Sequence, residues 1–263
     1  MSSGDRFFTD GAAYERLMGR WSQPVGAIFL DWIGVPKNLR WIDIGCGTGV
    51  FTEELIKHCS PAAVIAIDPS GDQLAFARDR PGLEIAEFRV GDAQDLPFAD
   101  NSFDIAVMAL VIHFVPEPSK AIAEMARVVR PGGWAATYVW DYSIGGSPTA
   151  PVTATMKSLG FESPAPPSRK ATSLQALQEL WRSAGLTEIE TRVIRIPVAF
   201  ADFDEFWDSI SVPVGPAGKA IAEMSPDTLE RLRAGLQKQV SIMSDGRVVY
   251  EACANAIKGR IRA

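Results

Sequence analysis

The sequence predicts an α/β fold in which a doubly wound, seven-stranded sheet carries helical cap insertions. Three observations predict it. Between residues 39 and 140, short β-rich apolar runs alternate with helical patterns, as in a parallel sheet with crossover helices. A turn with three glycines follows the first run, and residues 103–110 are almost continuously apolar, as expected of a central strand covered on both faces.

The first five strands are separated by helices with recognisable ends. Ser70 and Gln73 form a capping box at the start of the second helix. The helix that begins near Ser119 is stopped by the segment 131–133, which reads Pro-Gly-Gly. The strands are predicted at 40–44, 63–67, 85–90, 103–110 and 134–140.

The pattern changes after residue 141. The segment 142–171 contains five prolines and few apolar runs, which predicts a lid loop. Thr172 and Gln175 predict a capped helix, and two more helices are predicted at 202–210 and 225–240. The last two strands are predicted at 186–197 and 247–257. The expected units are N-terminal cap helices at 1–38, a binding core at 39–141, the lid loop at 142–171, core continuation at 172–197, a helical cap insertion at 198–245, and the final core strand at 246–263.

Composition excludes several classes of function. A net charge of −6 with no run of Lys or Arg argues against nucleic-acid binding. The longest apolar stretch, 105–115, is too short to span a bilayer, so no membrane insertion is expected. Three cysteines without a C-x-x-C pair and only two histidines make a metal site improbable and favour reduced thiols in a cytoplasmic protein. The oligomeric state is left open.

The turn after the first strand predicts a ligand loop. Gly45, Gly47 and Gly49 allow a tight turn and a close backbone approach to a ligand, and the following helix presents free N–H groups. The dinucleotide fingerprint G-x-G-x-x-G would need a glycine where Val50 stands. The loop instead reads D-x-G-x-G-x-G from Asp43, a pattern that resembles the first motif of class I S-adenosylmethionine-dependent methyltransferases.

Acidic residues follow the next two strands. Ligands of open parallel sheets bind at the carboxyl ends of the strands. Asp68 ends the second strand, where a carboxylate can accept hydrogen bonds from both ribose hydroxyls, and Pro69 follows it. Asp92 follows the third strand, where it can accept an adenine amino group while Ala93 donates its backbone N–H. Together these positions predict one elongated nucleoside-containing ligand.

A set of motifs extends the resemblance over residues 40–140. Besides the glycine loop and Asp68, the chain has G-D-A-x-x-L-P-F at 91–98, N-S-F-D at 101–104 and R-V-V-R-P-G-G at 127–133. The set is similar to the type 11 group of class I methyltransferases. The resemblance implies S-adenosyl-L-methionine as cofactor and S-adenosyl-L-homocysteine as product.

The resemblance also implies roles for single residues. The loop, including Cys46, would wrap the methionine part of the cofactor, with Asp43 near its amino group. Leu110 and Val111 would shape the pocket after the fourth strand. The segment 14–21 is similar to one that closes over the methionine end, where Arg20 would pair with the carboxylate and Tyr14 would bond or cover it.

Methyl transfer from a sulfonium requires in-line alignment and exclusion of water more than covalent help from the protein. A base is needed only when the acceptor begins as a neutral acid. His113, just beyond the fourth strand, is the candidate catalytic base, because its ordinary pKa of ~6.5 lets it accept a proton near neutrality. Trp140, Asp141 and Tyr142 follow the fifth strand and are expected to bind the acceptor.

The leading hypothesis is therefore an S-adenosylmethionine-dependent methyltransferase that acts on a small-molecule or lipid-like acceptor. An NAD(P)-dependent oxidoreductase would share the sheet and an acid after the second strand, although Val50 counts against it. A non-catalytic protein that binds S-adenosylmethionine and serves a partner is the third hypothesis. The acceptor, the atom methylated and the pathway stay open.

Overall fold

The seven predicted strands form one mixed sheet. A computed structural model describes residues 19–161, 165–213 and 215–262 of the chain. The strand order is β3-β2-β1-β4-β5-β7-β6, and every pairing is parallel except those of β7, which runs antiparallel to β5 and β6. This confirms the expected doubly wound α/β sheet. The strands are β1 Arg40–Ile44, β2 Ala63–Asp68, β3 Ala86–Val90, β4 Phe103–Ala109, β5 Val129–Trp140, β6 Thr187–Phe200 and β7 Val248–Arg260.

Nine α-helices lie within the described ranges. Two short 3₁₀ turns, Ile112–Phe114 and Arg169–Thr172, supplement them. None of the helices in these ranges is long and apolar enough to cross a membrane. The helices are α1 Arg20–Ile33, α2 Val50–Cys59, α3 Gly71–Arg78, α4 Pro118–Val128, α5 Ala150–Ser158, α6 Leu174–Ser183, α7 Phe203–Ile210, α8 Gly215–Ala222 and α9 Pro226–Gln239.

The last two strands are longer than the sequence pattern predicts. They pair from Thr187 opposite Arg260 to Phe200 opposite Val248, whereas the pairing of β5 with β7 ends at Trp140 opposite Ala254. Pro197 looked like the end of a strand, but β6 is an edge strand, where a proline without an N–H is tolerated. The two-stranded extension therefore projects past the carboxyl end of β5.

The segment 142–171 is not only a loop. It contains α5, in which Val152 and Met156 are buried. The helix packs against α9, where the Thr155 hydroxyl donates to the Gln239 side-chain oxygen. The predicted cap at Thr172 is also one residue early, because the Ser173 hydroxyl accepts the Ala176 N–H at 3.2 Å. The helix was not predicted because the segment is rich in proline, but Pro151 lies in the first turn, where a helix tolerates proline.

A buried lysine joins the end of α1 to the sheet. The Lys258 ammonium on β7 donates to the backbone oxygens of Trp32 and Ile33 at 3.3 Å each. It also lies 4.9 Å and 5.2 Å from the ring centroids of Trp32 and Trp134. The positive charge thus satisfies carbonyl groups at the end of a helix whose own last turn has no basic residue.

Replacing Lys258 by methionine is expected to lower the free energy of unfolding by about 2–4 kcal/mol, since charged hydrogen bonds and two cation–π contacts are lost. Urea denaturation measures the change. Lys238→Met, at an exposed position of α9, is the matched control and should leave the midpoint unchanged. Equal midpoints for both variants would show that the Lys258 contacts do not stabilise the fold.

Candidate functional site

A cleft opens at the carboxyl ends of β1, β2 and β4. Its wall combines the glycine loop, the turn after β2 and the turn after β4. Seven residues predicted to bind the cofactor line it: Gly45, Cys46, Gly47, Asp68, Pro69, Leu110 and Val111. The topology brings these separate segments together because the strand order changes direction between β1 and β4.

Glycine is required at two loop positions for steric reasons. Gly45 and Gly47 have φ angles of +77° and +55°, and Gly49, the N-cap residue of α2, has φ of +81°. A Cβ atom on Gly45 would lie 2.6 Å from two Val111 carbons, and one on Gly47 would lie 2.8 Å from the Gln73 Oε1 atom. Larger side chains would therefore fill the cleft from its floor.

Asp68 connects the glycine loop to the turn after β2. Its carboxylate accepts the Gly47 N–H and the Ser70 N–H, each at 2.9 Å. The residue is 8% exposed and faces the cleft.

Asp43 lies beneath the loop, fully buried in β1. One carboxylate oxygen accepts the Thr52 hydroxyl at 2.6 Å, and the other, Oδ1, has no hydrogen-bond partner among the described residues. Burial, and secondarily the negative charge of Asp68, raise the pKa of Asp43 to about 7, although the Thr52 hydrogen bond opposes the shift. The side chain is not part of the cleft wall.

The turn after β3 lies at the same edge of the sheet but outside the cleft wall. The Gly91 N–H donates to the Asp68 backbone oxygen at 3.2 Å, which ties this turn to the end of β2. Asp92 is exposed, and its carboxylate accepts the Gln94 N–H at 2.9 Å. Ala93 is half-buried.

The turn after β4 supplies an apolar wall with a strained backbone. Leu110 has φ of +58°, an uncommon angle for a residue with a side chain, and its N–H donates to the Tyr138 backbone oxygen at 2.8 Å. Val111 packs over Gly45. Such strain concentrates where a ligand site fixes the backbone.

His113 is buried behind this wall. It is 2% exposed, and its ring lies 4.0 Å from the Phe114 ring and 5.1 Å from the Tyr142 ring between centroids. The Nδ1 atom has no partner in the part of the chain that the structure describes. Burial lowers the pKa of His113 to about 3, so the imidazole is neutral at physiological pH and is a weak base.

Trp140 ends β5, and it and the next two residues lie in different surroundings. Trp140 is 1% exposed and packs in the core, contrary to the expectation that it faces an acceptor. Asp141 is also turned inward, because its carboxylate accepts from the Asn255 amide at 2.7 Å and from the Ser143 N–H at 2.9 Å. Tyr142 alone reaches a cavity, which is a second one on the far side of His113.

Two predicted contacts fall outside what can be described. Tyr14 lies outside the described residues, and only the backbone of Arg20 is described, at the start of α1. Among the described residues no group of three or more His, Cys, Asp or Glu side chains could hold a metal ion.

Several cleft residues were missed by sequence reasoning. Phe51 and Tyr138 form the aromatic side of the cleft, with ring centroids 5.7 Å apart. Both read as ordinary core residues, one in a helix and one in a strand. Phe114 also lines the cleft, and its position next to His113 in the sequence was the one signal that could have predicted it. The remaining lining residues that were not predicted are Ser22, Thr48, Val50, Ser70, Gln73 and Ala109.

Comparisons with known proteins show similarity to methyltransferases. A family model described as a methyltransferase domain, of the type 11 group, matches residues 42–137. The 2-methyl-6-phytyl-1,4-hydroquinone methyltransferase 2 of Oryza sativa is 40% identical over 97 residues, which cover 37% of this chain and 28% of that protein. The fatty-acid O-methyltransferase of Mycolicibacterium smegmatis is 38% identical over 98 residues, which cover 37% of this chain and 36% of that protein. The similarity to both relatives spans about a third of their length.

A solved structure matches most of the chain. Phosphoethanolamine N-methyltransferase 2 of Haemonchus contortus, in complex with S-adenosyl-L-methionine, superposes with a TM-score of 0.58 at 19% identity. The alignment covers 95% of this chain and 56% of that one, which shows a shared fold. Residues 42–137 therefore form a class I, S-adenosylmethionine-dependent methyltransferase domain of the type 11 group.

Proposed function

We propose that the protein transfers a methyl group from S-adenosyl-L-methionine to a small-molecule, lipid-like acceptor. The observation that carries this proposal is the hydrogen bond between the Gly47 N–H and the Asp68 carboxylate at the cleft wall. It joins the glycine loop to the acid that we assign to the two ribose hydroxyls. The cofactor, when bound, supplies an electrophilic methyl on a sulfonium.

The residues fit such a cofactor. A Cβ atom at Gly45 would clash with Val111, and the positive φ angles of Gly45 and Gly47 favour glycine, so a ligand can approach the backbone there. The buried Asp43 Oδ1 atom, which has no partner among the described residues, offers acceptor capacity to a cofactor amino group. We assign the methionine part to the loop, the ribose to Asp68, and the adenine to the rim at Asp92 and Ala93, with Leu110 and Val111 along one side.

The chain's own residues then act mainly by positioning the reactants and excluding water, and less by transferring protons. Phe51, Phe114 and Tyr138 give the cleft an apolar, aromatic side near the turn after β4. Aromatic faces stabilise a nearby sulfonium, and an apolar wall excludes water that would compete with the acceptor. The reaction therefore depends on alignment of an acceptor that is already nucleophilic, or that loses its proton with little help.

The acceptor class rests on the cap and on the relatives. The two relatives above are named for a phytylated hydroquinone and a fatty acid, both of which join a small reactive group to a long apolar chain. We assign residues 39–141, 172–197 and 246–263 to the cofactor core. Residues 1–38, 142–171 and 198–245 form the cap over the acceptor in this proposal.

Two measurements test the proposed activity. S-adenosylhomocysteine should raise the melting temperature of the protein, and NADH should not. Labelled S-adenosylmethionine should then give methylated product with members of a panel of prenylated hydroquinones, long-chain acids and amines. A melting temperature raised only by NADH would support the oxidoreductase instead. Cofactor binding without product on any acceptor, together with a stoichiometric partner in pull-downs, would favour the non-catalytic binding protein.

Replacing His113 by alanine is expected to lower kcat, because the ring packs against Phe114, which lines the cleft, and against Tyr142. The affinity for S-adenosylhomocysteine should stay nearly unchanged, because His113 itself does not line the cofactor cleft. Since its pKa is about 3, the wild-type turnover should show no inflection near pH 6.5 that depends on His113. Calorimetry and a pH profile of turnover are the measurements. Unchanged turnover in the variant would make His113 a purely structural residue.

A further inference from the structure

A second cavity lies on the far side of His113 from the cleft, and we call it the basic cavity. Its polar lining comes from Tyr142, Ser143, Ser168, Arg169 and Lys170. Phe114 lines the cleft, Tyr142 lines the basic cavity, and the His113 ring contacts both aromatic rings. Among the described residues, the His113 ring thus links one lining residue of each space.

The charge of this cavity is opposite to that of the protein. The chain has a net charge of −6, yet the described lining holds two cations and no carboxylate. Within the described part of the chain, neither Arg169 nor Lys170 forms an ion pair. The nearby Asp141 carboxylate is buried and is bonded to Asn255 and Ser143. No described carboxylate therefore competes with a ligand for these two positive charges.

The lining is fixed by hydrogen bonds. The Ser168 N–H donates to the His113 backbone oxygen at 3.0 Å, and the Ser168 hydroxyl donates to the Val115 oxygen at 2.7 Å. The Asn255 amide donates to the Thr172 oxygen at 2.9 Å, which ties the end of the same segment to β7. One guanidinium nitrogen of Arg169 donates to the Tyr142 backbone oxygen at 3.1 Å. This hydrogen bond orients the guanidinium group, and its remaining N–H groups can bind two oxygens of one anion.

We propose that the basic cavity binds an oxyanion, a carboxylate or a phosphate, carried by the acceptor whose methylated atom lies in the cleft. Arg169 and Lys170 bind the charge, and the Ser143 and Ser168 hydroxyls are the neighbouring donors. That the bound molecule is the acceptor rests on the proposed methyl transfer. Oxyanion binding at this cavity is independent of that proposal. The acceptor would then be an anionic molecule that extends past the His113 ring.

Calorimetric titration with inorganic phosphate and with acetate, at constant ionic strength, tests the proposal. The wild type should bind at least one of them saturably, and Arg169→Gln/Lys170→Gln should bind it at least tenfold more weakly. Arg182→Gln/Lys238→Gln is the matched control, because it removes the same charge from exposed positions on α6 and α9. Preference for phosphate or for acetate identifies the kind of oxyanion, and either preference supports the proposal.

Equal weakening in both double variants, or no saturable binding of either anion to the wild type, would overturn the proposal. S-adenosylhomocysteine is titrated in parallel, so that a failure of cofactor binding is seen separately from a failure of anion binding. If the double variant does not fold, phenylglyoxal modification of the wild type replaces it. The bound anion should slow modification of Arg169 at least threefold and leave Arg182 unaffected, and an unprotected Arg169 would refute the assignment.

Discussion

The variant Asp68→Ala is expected to bind S-adenosylhomocysteine about 1.5–3 kcal/mol more weakly than the wild type, a loss of roughly 10- to 150-fold. Two effects add. The ribose hydroxyls lose a charged acceptor, and the glycine loop loses the carboxylate that accepts the Gly47 N–H. Because the Ser70 N–H also loses its partner, the turn after β2 should become less ordered. Isothermal calorimetry measures the affinity directly.

Asp79→Ala is the control for this variant. Asp79 is an exposed acid at the end of α3, so the same change in charge is made away from the cleft. The affinity of Asp79→Ala for S-adenosylhomocysteine should match that of the wild type. If Asp68→Ala also binds with wild-type affinity, the ribose assignment is wrong, and the carboxylate serves only to hold the loop.

The approximate positions of the first five strands were predictable because each strand contains a short apolar run bounded by turn residues. β4 is buried on both faces, with Ile105 to Met108 all fully buried, and its sequence is therefore almost continuously apolar. The length of β6 was not predictable in the same way. Its extension depends on pairing with β7, which is about fifty residues away in sequence, and Pro197 is compatible with it only at a sheet edge.

The cleft divides along similar lines. Residues at strand ends could be found from the sequence, because the topology of a parallel sheet fixes where strand ends meet. Gly45, Asp68 and Leu110 are of this kind. Phe51 and Tyr138 were missed because aromatic residues in regular elements look the same whether they face a core or a ligand. Trp140 was misplaced for the converse reason, since the last residue of β5 turns inward and packs in the core.

Binding of S-adenosylhomocysteine is expected to release a proton from Asp43 at pH 6. Burial raises the pKa of this carboxyl to about 7, so the free protein carries it largely protonated at that pH. A raised pKa in the folded state also means that Asp43 favours folding at low pH and that this contribution is lost as the pH rises toward 7. The positive amino group of the cofactor product, placed near the unpartnered oxygen, would favour the charged carboxylate and lower its pKa.

Affinity should therefore rise with pH, by up to roughly tenfold per unit below pH 7, and level off above it. Calorimetry at pH 6 in two buffers with different ionisation enthalpies gives the number of protons released, which should approach one. Asp43→Asn keeps the shape of the side chain but has no proton to release, so its heat of binding should not depend on the buffer. Tight binding by the wild type without proton release would place the amino group away from Asp43, and the glycine loop would then hold the methionine part through its backbone alone.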